Sequence, residues 1–215
     1  MIRPIQSTRV RDYRETDYAE CEQLVSDAWQ FEQHFQPAAL YQLARHVYTY
    51  GSVVGSNFKQ VVEQNGQVVG FLFGRNEKRP LEQGCLKLLR FNLWVLKRLF
   101  GLKGMTFKQK FAFLKKLNQH EIARHKIEKR GASEINLLVI HPSLQKQGFG
   151  QQLVQRFIKD CRSSRVPRII VEANVVQASG FYKKLGFTLL AEFDSPLHQI
   201  ASKDTPKAAL YEYRL

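Results

Sequence analysis

The stretch from Ile135 to Gly150, INLLVIHPSLQKQGFG, constrains this chain more than any other. Leu137, Leu138, Val139 and Ile140 form an apolar run bounded by turn residues, the pattern of a strand covered on both faces. His141-Pro142 ends the run. In the following Gln145-Lys146-Gln147-Gly148-Phe149-Gly150, the two glycines lack a Cβ, so the backbone can take positive φ and come close to a ligand. Leu153, Val154, Phe157, Ile158 and Cys161 then recur at i, i+3, i+4 spacing and predict an amphipathic helix starting near Gln151. The unpaired N–H groups of its first turn and its positive dipole end face the same concavity as the loop amides. Strand, glycine turn and helix start together predict an anion cradle for the phosphates of a nucleotide-like cofactor, with Lys146 adding charge at its rim.

A second motif follows the first. Arg168 to Asn174, RIIVEAN, reads as another strand, and VQASGFYKKLGF as a short helix with Ala178, Phe181 and Leu185 on one face and Gly186 as its C′ residue. Q-x-x-G-x-G after a strand, with A-x-x-F-Y-x-x-L-G-F further on, resembles the GCN5-related N-acetyltransferase (GNAT) superfamily. The resemblance is loose over residues 8–77 and good over residues 131–215. It implies an α/β (α+β) fold, a mixed central sheet of about seven strands with flanking helices, with acetyl-CoA as co-substrate and no metal. In that family the strand before the loop splays from its neighbour. Carried over, this implicates Leu138, Val139 and Ile140 for the pantetheine arm, and Gln145, Lys146, Gln147, Gly148, Phe149, Gly150 and Gln151 for the pyrophosphate. Tyr182 stands where the family places a tyrosine beside the cofactor sulfur; a phenol, with an ordinary pKa near ~10, can protonate a departing thiolate. The asparagine often found three residues before the motif's alanine is Val175 here, and Asn174, one position early, is the available contact.

Transfer to an amine further needs a proton acceptor and a polarised carbonyl. Strand amides near Val139 or Ile140 are candidates for the oxyanion. Glu134, eleven residues before Gln145, matches the register at which the histone-acetylating branch places its glutamate. Asn136 would share its face, since strands have period two. A partly buried Glu134 would have a raised pKa and accept the ammonium proton directly or through water; Glu172 is the alternative base, and His198 reads as a surface loop residue. The resemblance thus implies an acetyl-CoA-dependent N-acetyltransferase acting on a small-molecule or peptide amine by direct attack in a ternary complex. The other reading is a non-catalytic acyl-CoA-binding module.

Charge locates what the resemblance leaves out. The net charge is +14, and residues 75–130 hold 16 Lys and Arg against 4 Glu. The rest of the chain, with 17 basic and 15 acidic residues by difference from totals of 33 and 19, is nearly neutral. Residues 76–130 therefore read as a basic helical insertion between the third and fourth strands of a single domain spanning 1–215. Leu86, Leu89, Leu93, Leu96 and Phe100 line one helical face, with Lys87, Arg90, Lys97 and Arg98 away from it. Thr106 can cap a second helix carrying Phe107, Phe111, Leu114 and Leu117, with Lys108, Lys110, Lys115 and Lys116 outside. Such a hairpin fits a lid over the acceptor groove or a homodimer contact, an anionic membrane surface, or an acidic substrate. No nucleic-acid motif accompanies it.

The remaining chain supplies a β-α-α-β-β order: a strand over Thr8 to Tyr13, a helix capped at Thr16 or a neighbour and running to Trp29, and a helix from Pro37 to Tyr50. A loop over Gly51 to Asn57 precedes two strands joined at Asn65-Gly66, a type I′ hairpin signal. Thr188 to Phe193 and Ala208 to Arg214 read as closing strands around a loop from Asp194 to Pro206. The charged, unpatterned first twelve residues and the lack of a ~20-residue apolar run predict a cytoplasmic protein. Cys21, Cys85 and Cys161 are odd in number and far apart, which predicts neither a disulfide framework nor a metal site.

Overall fold

A computed structural model describes residues 8–81, 84–127, 131–174, 179–195 and 207–215. The strands are β1 (Thr8–Asp12), β2 (Phe58–Gln64), β3 (Gln67–Arg75), β4 (Ser133–Ile140), β5 (Arg168–Asn174), β6 (Thr188–Asp194) and β7 (Lys207–Arg214). They form one sheet in the order β1-β2-β3-β4-β5-β7-β6, antiparallel throughout except for β4 beside β5. The helices are α1 (Tyr18–Trp29), a single turn α2 (Phe31–His34), α3 (Ala38–Val54), α4 (Gly84–Gly101), α5 (Phe107–His125), α6 (Phe149–Ser163) and α7 (Ser179–Lys184).

Period two in the strands divides the core between the two faces of the sheet. Val62, Leu72, Ile135, Ile169 and Val171 pack with Leu153, Val154 and Phe157 of α6. Val61, Phe71, Phe73, Leu137 and Val139 pack with Cys21, Leu24 and Val25 of α1 and with Leu40 and Leu43 of α3. The central strands are therefore apolar on both sides, as the runs in β3 and β4 predict. Gly74 is required here because a Cβ would stand 2.8 Å from the Phe157 ring. The hairpin closes as expected, with positive φ at Asn65 (52°) and Gly66 (83°).

The start of α1 falls at Asp17, the neighbour of Thr16, within the expected range, and its carboxylate accepts the Arg14 amide at 2.7 Å. Several local expectations are corrected. The expected loop at Gly51 is helical to Val54. Gly51 lets the Phe91 ring of α4 approach to 3.4 Å from where a Cβ would lie, and that packing extends α3 beyond its sequence signal. The insertion is a helical hairpin, α4 and α5, and α5 is turned relative to the expected face. Phe91 and Leu99 are buried, whereas Leu86, Leu89, Leu93 and Leu96 are exposed. In α5, Lys110 is buried, whereas Phe107 and Phe111 are exposed. The Lys110 ammonium donates to the carbonyls of Phe100 and Leu102, both at 2.7 Å, and so satisfies the C-terminal end of α4. Thr106 does cap α5, reciprocally with Gln109.

Candidate active site

The site begins where the sheet stops being continuous. β4 and β5 pair only over Ser133–Ile135 and Ile169–Val171. Beyond them Leu138, Val139 and Ile140 still pair with β3 but have left β5, so a cleft opens between the two strands. A bulge helps to set the divergence: Phe73 pairs with Leu137 and Gly74 with Ile135, leaving Asn136 as the extra residue on β4. Asn136 stays half-buried like Glu134, with buried Ile135 between them. Its amide donates to Ser56 Oγ (2.8 Å) and Gly55 O (3.2 Å), tying the end of α3 to the splay.

The cleft runs onto the glycine loop. Pro142–Leu144 form a 3-10 turn held by Ser143 and His141, whose Oγ and Nδ1 lie 2.7 Å apart. The Gln145 side chain donates to Ile140 O (3.2 Å), and that of Gln147 to Ser143 O (2.8 Å). Lys146 and Gly148 take positive φ, 60° and 88°, and Gly148 is the N-cap of α6. Among the described residues, no backbone carbonyl accepts from the amides of Lys146 to Gln151. Amides without a carbonyl partner, next to the positive end of the α6 dipole, are a donor set that would suit a pyrophosphate. Gly150 has another reason for lacking a side chain, since a Cβ there would touch Phe181 at 3.4 Å and Ile140 at 3.6 Å.

Tyr182 sits on α7, which ends at Gly186 with φ 90° and a bond from the Phe187 amide to Tyr182 O of 3.0 Å. The Tyr182 ring packs on Phe181, Phe187 and Tyr211. Burial, with a smaller contribution from the nearby Tyr48 phenol, pushes the Tyr182 hydroxyl well above its ordinary range. It is therefore a protonated donor at any working pH. Tyr48 projects from α3, is 41% exposed, and its phenol also feels the charge of Glu172. Asn174 closes β5, while Val175, Ala178 and His198 lie outside the described residues.

On the α3 face of the splay, the insertion enters the site. Arg124 of α5 contacts the Glu134 carboxylate, and its Nε stands 3.5 Å from Glu172 Oε2. His120, one helical turn earlier and buried, lies with Nε2 3.4 Å from Glu172 Oε2 and Nδ1 2.9 Å from the Oγ of buried Ser195. Glu134 and Glu172 thus share one cluster with a guanidinium and an imidazole. The sequence reading missed His120, Arg124, Ser195 and Tyr48. The available signal lies in α5, where Lys110, Phe113, Leu117, His120 and Arg124 continue one another at three- and four-residue steps. Burial pushes the Cys161 thiol up to about 12 and Cys21 higher, so neither is a nucleophile in waiting. The Cys85 side chain lies outside the described residues.

A split mixed sheet with an amide-lined loop at the mouth of the split defines the GNAT class of acetyltransferase folds. The fold matches the crystal structure of SsHAT with a TM-score of 0.62 at 16% identity, covering 97% of this chain and 98% of that one. It also matches yncA, a putative acetyltransferase from Salmonella typhimurium solved with acetyl-CoA (TM-score 0.52, 16% identity, 97% and 94% covered). A third match is the ribosomal-protein-S18-alanine N-acetyltransferase from Escherichia coli (TM-score 0.50, 13% identity, 97% and 94% covered). No curated protein matches the sequence. The model of the acetyltransferase (GNAT) domain matches residues 103–193, from just before α5 to the end of β6. Over those residues the sequence is similar to the GNAT acetyltransferase domain, and the whole chain shares the fold of the acetyltransferase structures above.

Proposed function

We propose that this protein is an acetyl-CoA-dependent N-acetyltransferase that passes the acetyl group to a primary amine by direct attack in a ternary complex. The carrying observation is the cleft between β4 and β5, which opens on the free amides of Lys146 to Gln151 at one end and on the Glu172–His120–Arg124–Glu134 cluster on one face. The loop amides from Lys146 to Gln151 hold the pyrophosphate, the Gln145 amide being bonded to Pro142 O; Leu138, Val139 and Ile140 hold the arm, with Asn174 across from them. Acetyl-CoA, when bound, supplies the activated thioester.

The side chains divide the proton work. Tyr182 donates its hydroxyl proton to the departing sulfur, and burial keeps that proton in place until a thiolate develops. Both carboxylates are candidate bases. Arg124 lies against both, in contact with Glu134 and with its Nε 3.5 Å from Glu172. Glu172 has the His120 imidazole 3.4 Å away to pass a proton on to, so the Glu172–His120 pair is the acceptor in this reading, with Glu134 and Arg124 positioning it. The name of the Escherichia coli relative puts peptide N-terminal amines in the acceptor panel beside small amines.

The test is free-thiol release from acetyl-CoA against that panel. With an accepted amine, Tyr182→Phe should lower kcat about 100-fold while the Kd for CoA stays within about twofold. An unchanged kcat removes Tyr182 from the mechanism. Tight CoA binding with no turnover on any amine would favour the binding-module reading instead.

A further inference from the structure

From the face that α4 and α5 leave uncovered, we infer that the inserted hairpin docks on an anionic lipid bilayer. Leu86, Leu89, Leu93 and Leu96 follow one line along α4 and are 68%, 56%, 58% and 41% exposed. Phe100 carries the line across the hairpin, its ring 6.2 Å from that of Phe107 and 5.5 Å from that of Phe111, which are themselves 68% and 61% exposed. Seven large apolar side chains in a row, six of them exposed, are far from the scattered single residues of an ordinary surface. This row is not a spare core face either, because α4 already buries Phe91 and Leu99 against the body of the protein.

Charge selects the occupant. From Gly84 to His120 the chain has no Asp or Glu and nine Lys or Arg. Lys110 is committed to the α4 carbonyls, but Arg90, Lys97, Arg98, Lys108, Lys115 and Lys116 are exposed around the apolar row. An apolar stripe with a cationic rim matches the boundary between acyl chains and anionic headgroups, where both parts are satisfied together. A second copy of this chain would place the same cationic rim against itself. A nucleic acid would satisfy the cations and leave the leucines and phenylalanines against phosphate. Docking here is monotopic, since no described helix is long and apolar enough to cross a membrane.

The experiment is co-sedimentation of the full chain with phosphatidylglycerol–phosphatidylcholine vesicles and with pure phosphatidylcholine vesicles. Binding should require the anionic lipid. Leu89→Ser with Leu93→Ser, at exposed positions, should weaken it at least about tenfold, and Lys97→Glu with Arg98→Glu should do the same. The thermal shift given by acetyl-CoA should be unchanged in both variants, which separates this surface from the cofactor site. The inference is overturned by absence of binding to anionic vesicles, or by binding that the leucine variant leaves intact and salt abolishes, which is simple adsorption. It is equally overturned if light scattering shows a dimer that the leucine variant converts to monomer, since a second copy would then cover the row.

Discussion

Arg11 holds two carboxylates at once. Its Nη1 and Nη2 donate to Asp17 at 2.7 and 2.9 Å, and its Nε donates to Glu63 at 2.6 Å, which joins β1, the start of α1 and β2. For Asp17, burial works to raise the carboxyl, but the Arg11 guanidinium and the Arg14 amide outweigh it and hold Asp17 below the usual carboxylate range. A carboxyl whose folded pKa is depressed stabilises the fold above its unfolded value and loses that contribution as pH falls through the folded one. The Asp17→Asn variant should therefore lose about 2 kcal/mol at pH 7, and the gap to the parent protein should narrow below about pH 4. Urea unfolding of both proteins at several pH values measures this; a gap independent of pH would mean that the amide fails for steric reasons instead. The same residue scale explains why the glycine loop was readable in advance. Gly148 takes positive φ in this turn, and that demand is local. The partners of Glu134 and Glu172 are not local. They come from a helix whose side toward the sheet is settled by packing, so only the carboxylates themselves were legible.

The insertion shows how far periodicity reaches at the scale of elements. Spacing correctly marks α4 and α5 as helices and the cap at Thr106, because period and capping depend on neighbouring residues alone. It does not decide which side faces inward when a helix is apolar nearly all round. In α4 the side carrying Phe91 and Leu99 wins over the leucine row, since Phe91 meets Tyr50 at 5.3 Å between ring centroids and packs where Gly51 leaves room. In α5 the tendency to place lysines outside is overridden at Lys110 by the two open carbonyls at the end of α4. That lysine is a structural clasp, with its ammonium also 5.5 Å from the Phe107 ring centroid. Lys110→Met keeps the apolar stem and removes the donor, leaving two carbonyls without it. The variant should be less stable by about 1–2 kcal/mol, read as a lower urea midpoint at unchanged slope. A more stable variant would show that desolvation of the ammonium costs more than its two hydrogen bonds return.

Across the whole molecule, the sheet is two pieces with a narrow join. β1 to β4 form one antiparallel block and β5, β7 and β6 another, and among the described residues three pairs between β4 and β5 join the two blocks in the sheet. α6 spans the join on one face, and α5, through His120 and Arg124, reaches both blocks on the other. A ligand lying in the split would bond to the loop behind β4 and to strand groups on both sides, so it should stabilise the folded state without rearranging it. At about 100 times its Kd, acetyl-CoA should add about 2.7 kcal/mol. For a chain of this length that corresponds to a rise in melting temperature of about 5–10 °C. A Gly148→Val variant tests the geometry, because a β-branched residue at φ 88° is strained and the loop must shift to relieve it. Its melting temperature without ligand should fall, and the rise on adding acetyl-CoA should largely disappear. If parent and variant rise equally, the cofactor is held somewhere other than the amides behind Gly148. If neither rises at millimolar acetyl-CoA, the split does not bind it, and the docking hairpin becomes the better guide to what this protein does.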